Sequence, residues 1–138
     1  FGAAENWTGR VGTFDTIASG IEAGRDVRVF TDRVVSPSYV PDIAAATRHL
    51  VLSGAAYGLY HCVNTGQATW YEVAQETAGL LGITPKLVPV SVNDVQWKAR
   101  RPQFCALNPN KLAAAGFAMP SWRDALRRWV AGRARSAT

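Results

Sequence analysis

No methionine opens this 138-residue sequence, and its single one stands at Met119. A translated protein starts with Met, so the chain reads as a piece of a longer or processed product. Only two cysteines occur, Cys62 and Cys105. The two could pair, but so sparse a pair more often reads as buried free thiols in a reducing compartment. No apolar run approaches the roughly 20 residues needed to cross a bilayer, and no signal peptide precedes the first helix, so a membrane role is not expected. No glycine-rich turn follows a strand, which leaves no dinucleotide cradle, and there is neither a P-loop nor a metal-spaced Cys/His cluster. None of Tyr39, Tyr57, Tyr60 or Tyr71 has a lysine four residues on, so no Tyr-x-x-x-Lys proton-donor pair is encoded. His49 and His61 lack a nucleophile or carboxylate partner at motif spacing and read as structural. The chain alone is therefore not expected to perform redox chemistry.

Acidic residues are scarce at one end. From Trp97 onward nine Lys/Arg face one acid, Asp124, whereas residues 1–96 carry six basic and nine acidic groups. A basic end of this kind serves nucleic acid, the phosphates of a small ligand, or only water. No groove-reading motif accompanies it, which argues against nucleic acid. Asn6-Trp7-Thr8 matches the glycosylation sequon, a pattern common by chance.

What is present is helix grammar. Phe14, Ile17, Ala18 and Ile21 follow helical spacing up to Gly24. Thr69 with Glu72 forms a capping box that opens a helix closed by Gly82. Asn108 and Pro109 start another that Gly116 ends. Ser121 with Asp124 caps a helix whose apolar face is Trp122, Ala125, Leu126, Trp129 and Val130. A further helix runs from Asp42 to Leu52. Residues 27–32, 58–64 and 86–90 read as strands, the last an edge strand because Pro89 cannot donate. Trp70, Trp122 and Trp129 are expected in the core, and residues 131–138 as a frayed tail. The fold class is α/β, a small lobe of about five helices and a few short strands without a complete doubly wound sheet.

The stretch SPSYVPDIA (36–44) combines two prolines with hydroxyls and leads into a helix start at Pro41-Asp42. A stiff loop of this kind either holds a ligand or caps the helix through Ser38 or Asp42.

Four segments in order, FTDRVVSPSYVPDIAAA (30–46), GLYHCVNTGQATWYEVAQ (58–75), RRPQFCALNPNKL (100–112) and GFAMPSWRDAL (116–126), resemble the C-terminal half of the dTDP-4-dehydrorhamnose reductase family. These are extended short-chain dehydrogenase/reductases acting on nucleotide sugars, and the resemblance runs from Phe1-Gly2 to about Trp129. It implies that residues 1–130 are the substrate-binding lobe of a larger cytoplasmic enzyme. NADP or NAD and the Tyr-Lys pair would belong to an N-terminal Rossmann domain outside this chain. It implies a nucleoside-diphosphate sugar as ligand, that Rossmann domain as partner, and leaves a homodimer open.

In the family the Ser-Pro-Thr-like loop borders the sugar end of the pocket, here Ser36, Pro37 and Ser38. Arg101-Pro102 resembles the Arg-Pro segment near the diphosphate, which a guanidinium grips by two charge-assisted bonds. Lys98 and Arg100 add field, or any of these cations simply faces solvent. Trp97 and Phe104 flank the segment, either to stack on a base or to pack in the core. The sequence departs from the family where Arg33 replaces a neutral side chain and Val35 a glycine, and where Phe104 and Cys105 stand for Asn and Ser. A non-catalytic binding module, like the regulatory subunit of methionine adenosyltransferase, is the alternative.

Overall fold

The computed structural model describes Phe1, residues 12–99 and residues 101–136. The sequon at Asn6 and the cation Arg100 lie outside the described residues.

Helix α1 (Thr13–Glu22) buries Phe14, Ile17, Ala18 and Ile21, the face its spacing predicts. It lies against strand β1 (Asp26–Phe30), whose Val27 and Val29 point inward. The two elements approach closely at Gly20, where a Cβ would stand 2.8 Å from Val27 Cγ2. Strand β2 (Val34–Val35) and helix α2 (Val40–Leu52) follow, then β3 (Ala68–Thr69) and α3 (Trp70–Leu81). The capping box of α3 is formed in full, Thr69 Oγ1 accepting from Glu72 N and Glu72 accepting from Thr69 N. Gly82 ends that helix in the left-handed region at φ 67°, which glycine enters without a steric cost. Strand β4 (Lys86–Val90), a 3₁₀ turn at Val92–Asp94, β5 (Phe104–Cys105), α4 (Asn110–Ala114) and α5 (Trp122–Ser136) complete the order.

Among the described residues the strands make two small sheets. In one, β1 pairs in parallel with β4, in register from Asp26↔Lys86 to Phe30↔Val90. In the other, β2 is central, antiparallel to β3 and parallel to β5. The α/β lobe without a doubly wound sheet is thus observed. Two buried clusters share α1 and α3: Phe14, Ala18 and Val73 pack with Trp122, Leu126 and Trp129, and Ile17 and Ile21 with Val27, Val29 and Ala74. A third, Ala46, Leu112 and Met119, lies between α2 and α4. No helix among the described residues is long and apolar enough to cross a membrane.

Several expectations need correction. Residues 58–64 form no ladder. The first pairing beyond them is a bridge between Thr65 and Ser121. Aromatic and β-branched residues report fitness for a pleated surface, but a strand also needs a neighbour, and no other strand runs beside this one among the described residues. Helix α2 begins at Val40 rather than Asp42, and neither Ser38 nor Asp42 caps it. Asp42 instead accepts two bonds from Arg128 (2.9 and 2.6 Å) and one from Asn64 Nδ2 (2.7 Å), tying the start of α2 to α5. Asn64 is fully buried and also accepts from Tyr39 N while donating to Pro120 O, so one amide joins three segments. Helix α4 starts two residues after Asn108, whose Oδ1 still accepts from Asn110 N (2.8 Å). Helix α5 runs past residue 130 to Ser136, because Arg133 finds Asp15 (3.3 Å) and Glu22 (2.8 Å) on α1.

Candidate functional site

The sequence placed six residues at a ligand site: Ser36, Pro37, Ser38, Arg101, Pro102 and Phe104. The fold places the first five in the outer two of three depressions that share wall residues, together termed the trough. The middle one, of about 730 Å³, is lined by Thr13, Thr16, Ile17 and Gly20 along one side of α1, by every residue of β1, and by Arg25, Arg33, Trp70 and Trp97. Contact with all five strand residues means that it follows the edge of β1 opposite β4. Among the described residues that edge has no partner strand. Thr13 and Trp70 are shared with a second depression of about 260 Å³, which holds Ser36, Pro37 and Ser38. Trp97 is shared with the third, about 360 Å³, which holds Arg101 and Pro102.

Local chemistry fixes each end. The Ser36 hydroxyl accepts from Leu107 N (2.9 Å) and donates to Leu107 O (3.3 Å), while Ser38 Oγ donates to Ser36 O (3.0 Å). Pro37 between them is fully buried. Both hydroxyl protons are committed, so each oxygen retains only lone pairs for a ligand. The loop presents acceptors, suited to the donating hydroxyls of a sugar.

At the other end, Asp32 organises the chain. Its carboxylate accepts from Ser91 Oγ (2.6 Å), Val92 N (2.9 Å) and Gln103 Nε2 (3.3 Å). The Ser91 hydroxyl, then the Val92 amide, and further the Gln103 amide hold Asp32 below the usual carboxylate range against a smaller desolvation effect. Val34 N donates to Gln103 O (2.8 Å), clamping the 101–103 segment to the start of β2. Trp97 Nε1 donates to Val92 O (3.1 Å), its ring lies 5.8 Å from that of Phe30, and the Arg101 guanidinium sits 5.8 Å from its centroid. Arg101 forms no ion pair among the described residues.

The remaining expectations divide. Phe104, on β5, is 62% exposed and lines none of the three depressions, so it belongs neither to the core nor to the trough. Trp122 and Trp129 are buried as expected, and Trp70 is partly buried against both main clusters while also lining two of the depressions. His49 donates to Ala115 O (2.8 Å) and His61 to Asn108 O (3.2 Å), both structural. Sequence reasoning missed the middle depression, because an unpaired strand edge leaves no mark in residue types. It also passed over Asp32, whose partner Ser91 was visible as the start of the S-x-x-D pattern at 91–94.

Comparison with known families decides the affiliation. A model described as the RmlD substrate binding domain matches residues 9–134. The chain belongs to the RmlD substrate-binding domain family. The resemblance read from the four segments is thereby borne out. The dTDP-4-dehydrorhamnose reductase of Streptomyces griseus is 37% identical over 113 residues, covering 77% of this chain and 37% of that protein. The one from Mycolicibacterium smegmatis is 32% identical, over 88% of this chain and 37% of its own length. Among solved structures, dTDP-4-dehydrorhamnose reductase from Bacillus anthracis, in complex with NADP, superposes with a TM-score of 0.83 at 27% identity. It covers 96% of this chain and 45% of that one. The RmlD-type chain described here thus spans about two fifths of the length of the relatives it matches.

Proposed function

We propose that this chain holds a nucleoside-diphosphate sugar for an NAD(P)-dependent reductase that acts on a dTDP-4-dehydro sugar in the cytoplasm. The observation that carries the reading is the arrangement itself, in which a hydroxyl-accepting loop and an arginine without an ion pair among the described residues flank a depression walled by two tryptophans. The sugar lies against Ser36 and Ser38, whose lone pairs accept its hydroxyl protons and fix which carbon faces outward. Arg101 takes the diphosphate in its planar fork, with Pro102 stiffening the approach. The diphosphate joins sugar to nucleoside, so the middle depression along β1 takes the linkage between sugar and phosphates, and the nucleoside extends past Arg101. Trp70 and Trp97 close the walls and exclude water, which strengthens each of these contacts.

The residues present do not fit a nicotinamide cofactor, since no glycine-rich turn follows any strand of the chain. NADP or NAD is therefore assigned to an N-terminal Rossmann domain together with the proton donor, and no step of the reaction is built from residues here. The unpaired segment 58–64, with exposed Val51, Leu52, Tyr57 and Leu59 nearby in sequence, is the surface on which that domain would rest.

The test is turnover by the complete two-domain polypeptide. Mixed with NADPH and a dTDP-4-dehydro-6-deoxyhexose, it should consume reduced nicotinamide, and the isolated chain should consume none. An intact polypeptide that reduces no nucleotide-linked keto sugar would overturn the reading, as would consumption by the isolated chain.

A further inference from the structure

Arg33 is the residue that departs from the family's neutral side chain, and the structure leaves its charge unmatched. Its Nε is buried with no hydrogen-bond partner, and no carboxylate pairs with the guanidinium among the described residues. Arg133 also has an unpartnered buried Nε, but its terminal nitrogens meet Asp15 and Glu22, so that charge is neutralised. Leaving a half-buried cationic donor unpaired is unfavourable unless something else supplies the acceptor.

The position of Arg33 is not loose. Its neighbour Asp32 is held by Ser91, Val92 and Gln103, and its other neighbour Val34 donates to Gln103 O. The side chain lines the middle depression, whose wall at Trp97 is shared with the depression of Arg101. Two cations without ion-pair partners among the described residues therefore line adjoining depressions that share Trp97.

We propose that Arg33 is a specificity-determining ligand contact. It binds an oxygen of one phosphate of the nucleoside diphosphate while Arg101 binds the other, so the chain selects a diphosphate over an uncharged nucleoside. This rests on the nucleotide-sugar reading above. It adds a charged contact where the family pattern has a neutral one.

The experiment titrates the complete two-domain polypeptide with dTDP and, separately, with thymidine. Arg33→Gln should weaken dTDP binding about 10- to 150-fold, the usual worth of a hydrogen bond to a charged group. It should leave thymidine binding unchanged. Arg33→Lys should recover part of the dTDP affinity, because an ammonium keeps the charge but not the fork. Unfolding midpoints of both variants confirm that the fold is intact, and the lysine variant decides the matter if the glutamine variant does not fold. Equal dTDP affinity in wild type and Arg33→Gln overturns the inference while leaving the nucleotide-sugar reading standing. A parallel loss of thymidine binding also overturns it, since Arg33 would then shape the cavity rather than hold an anion. Wild-type protein that binds neither dTDP nor a dTDP-sugar removes both.

Discussion

Replacing Arg128 with alanine tests what locks α2 to α5. The guanidinium makes two charge-assisted bonds to Asp42, at 2.9 and 2.6 Å, and a third to Asp124 at 2.9 Å. Asp42 is only 8% exposed, so its carboxylate would keep Asn64 alone as a side-chain partner. Removing one member of a fully buried pair costs about 3–5 kcal/mol. Here the Arg128 side chain is 41% exposed, and water can enter the space it vacates. That lowers the expected loss to about 2–3 kcal/mol. The exposed Asp124 contact accounts for no more than about 0.5 kcal/mol of it. Urea unfolding should therefore show Arg128→Ala with a much lower midpoint at unchanged slope, and Asp124→Ala close to wild type. An Arg128→Ala protein within about 0.5 kcal/mol of wild type would refute the reasoning, since losing its cation should be costly for a buried carboxylate.

The same pair carries a pH dependence. Burial pushes the Asp42 carboxyl up, but the Arg128 and Asn64 hydrogen bonds and the Arg128 charge outweigh it and leave it below its ordinary value. A carboxylate lowered in the folded state stabilises above its unfolded pKa of about 3.9, and that contribution fades as pH falls through the folded value. Wild type should lose stability below about pH 4 more steeply than Asp42→Asn, and parallel acid profiles would contradict this. At Gly20 an added Cβ would stand 2.8 Å from Val27 Cγ2, and a β-branched valine cannot easily turn away. Gly20→Ala should thus destabilise by about 1–3 kcal/mol despite alanine's better helix propensity, and a stabilised variant in thermal unfolding would count against the close α1–β1 contact.

Local signals were legible and long-range ones were not. The capping box at Thr69, the stop at Gly82 and the buried faces of α1 and α5 are written within a few residues of chain, and all appear as read. The strand at 58–64 failed because pairing depends on a neighbour that its own residues cannot reveal. Asp42 looked like a helix-start residue, yet its partner Arg128 lies 86 positions away. The far end of α5 looked like a tail until α1 supplied Asp15 and Glu22 as partners for Arg133. At the candidate site, residue types alone singled out Ser36–Ser38 and Arg101, and the fold places them in depressions that adjoin a common third one. The role of Trp97 as a wall needed the fold, because an aromatic reads alike whether it lines a cavity or fills a core. Phe104 does neither, standing exposed on β5, because the outward side of a short strand leaves no mark in residue type.

The central claim is that the trough holds a nucleoside-diphosphate sugar through Arg101. Calorimetric titration of the complete polypeptide with a dTDP-sugar tests it, comparing wild type, Arg101→Ala and Arg123→Ala. Arg123 pairs with Glu76 (3.5 Å) and lines none of the three depressions, so it serves as the control. The account predicts that Arg101→Ala weakens binding by about 1.5–3 kcal/mol, roughly 10- to 150-fold, while Arg123→Ala matches wild type. Equal affinities for wild type and Arg101→Ala would contradict it and return this arginine to the solvated surface.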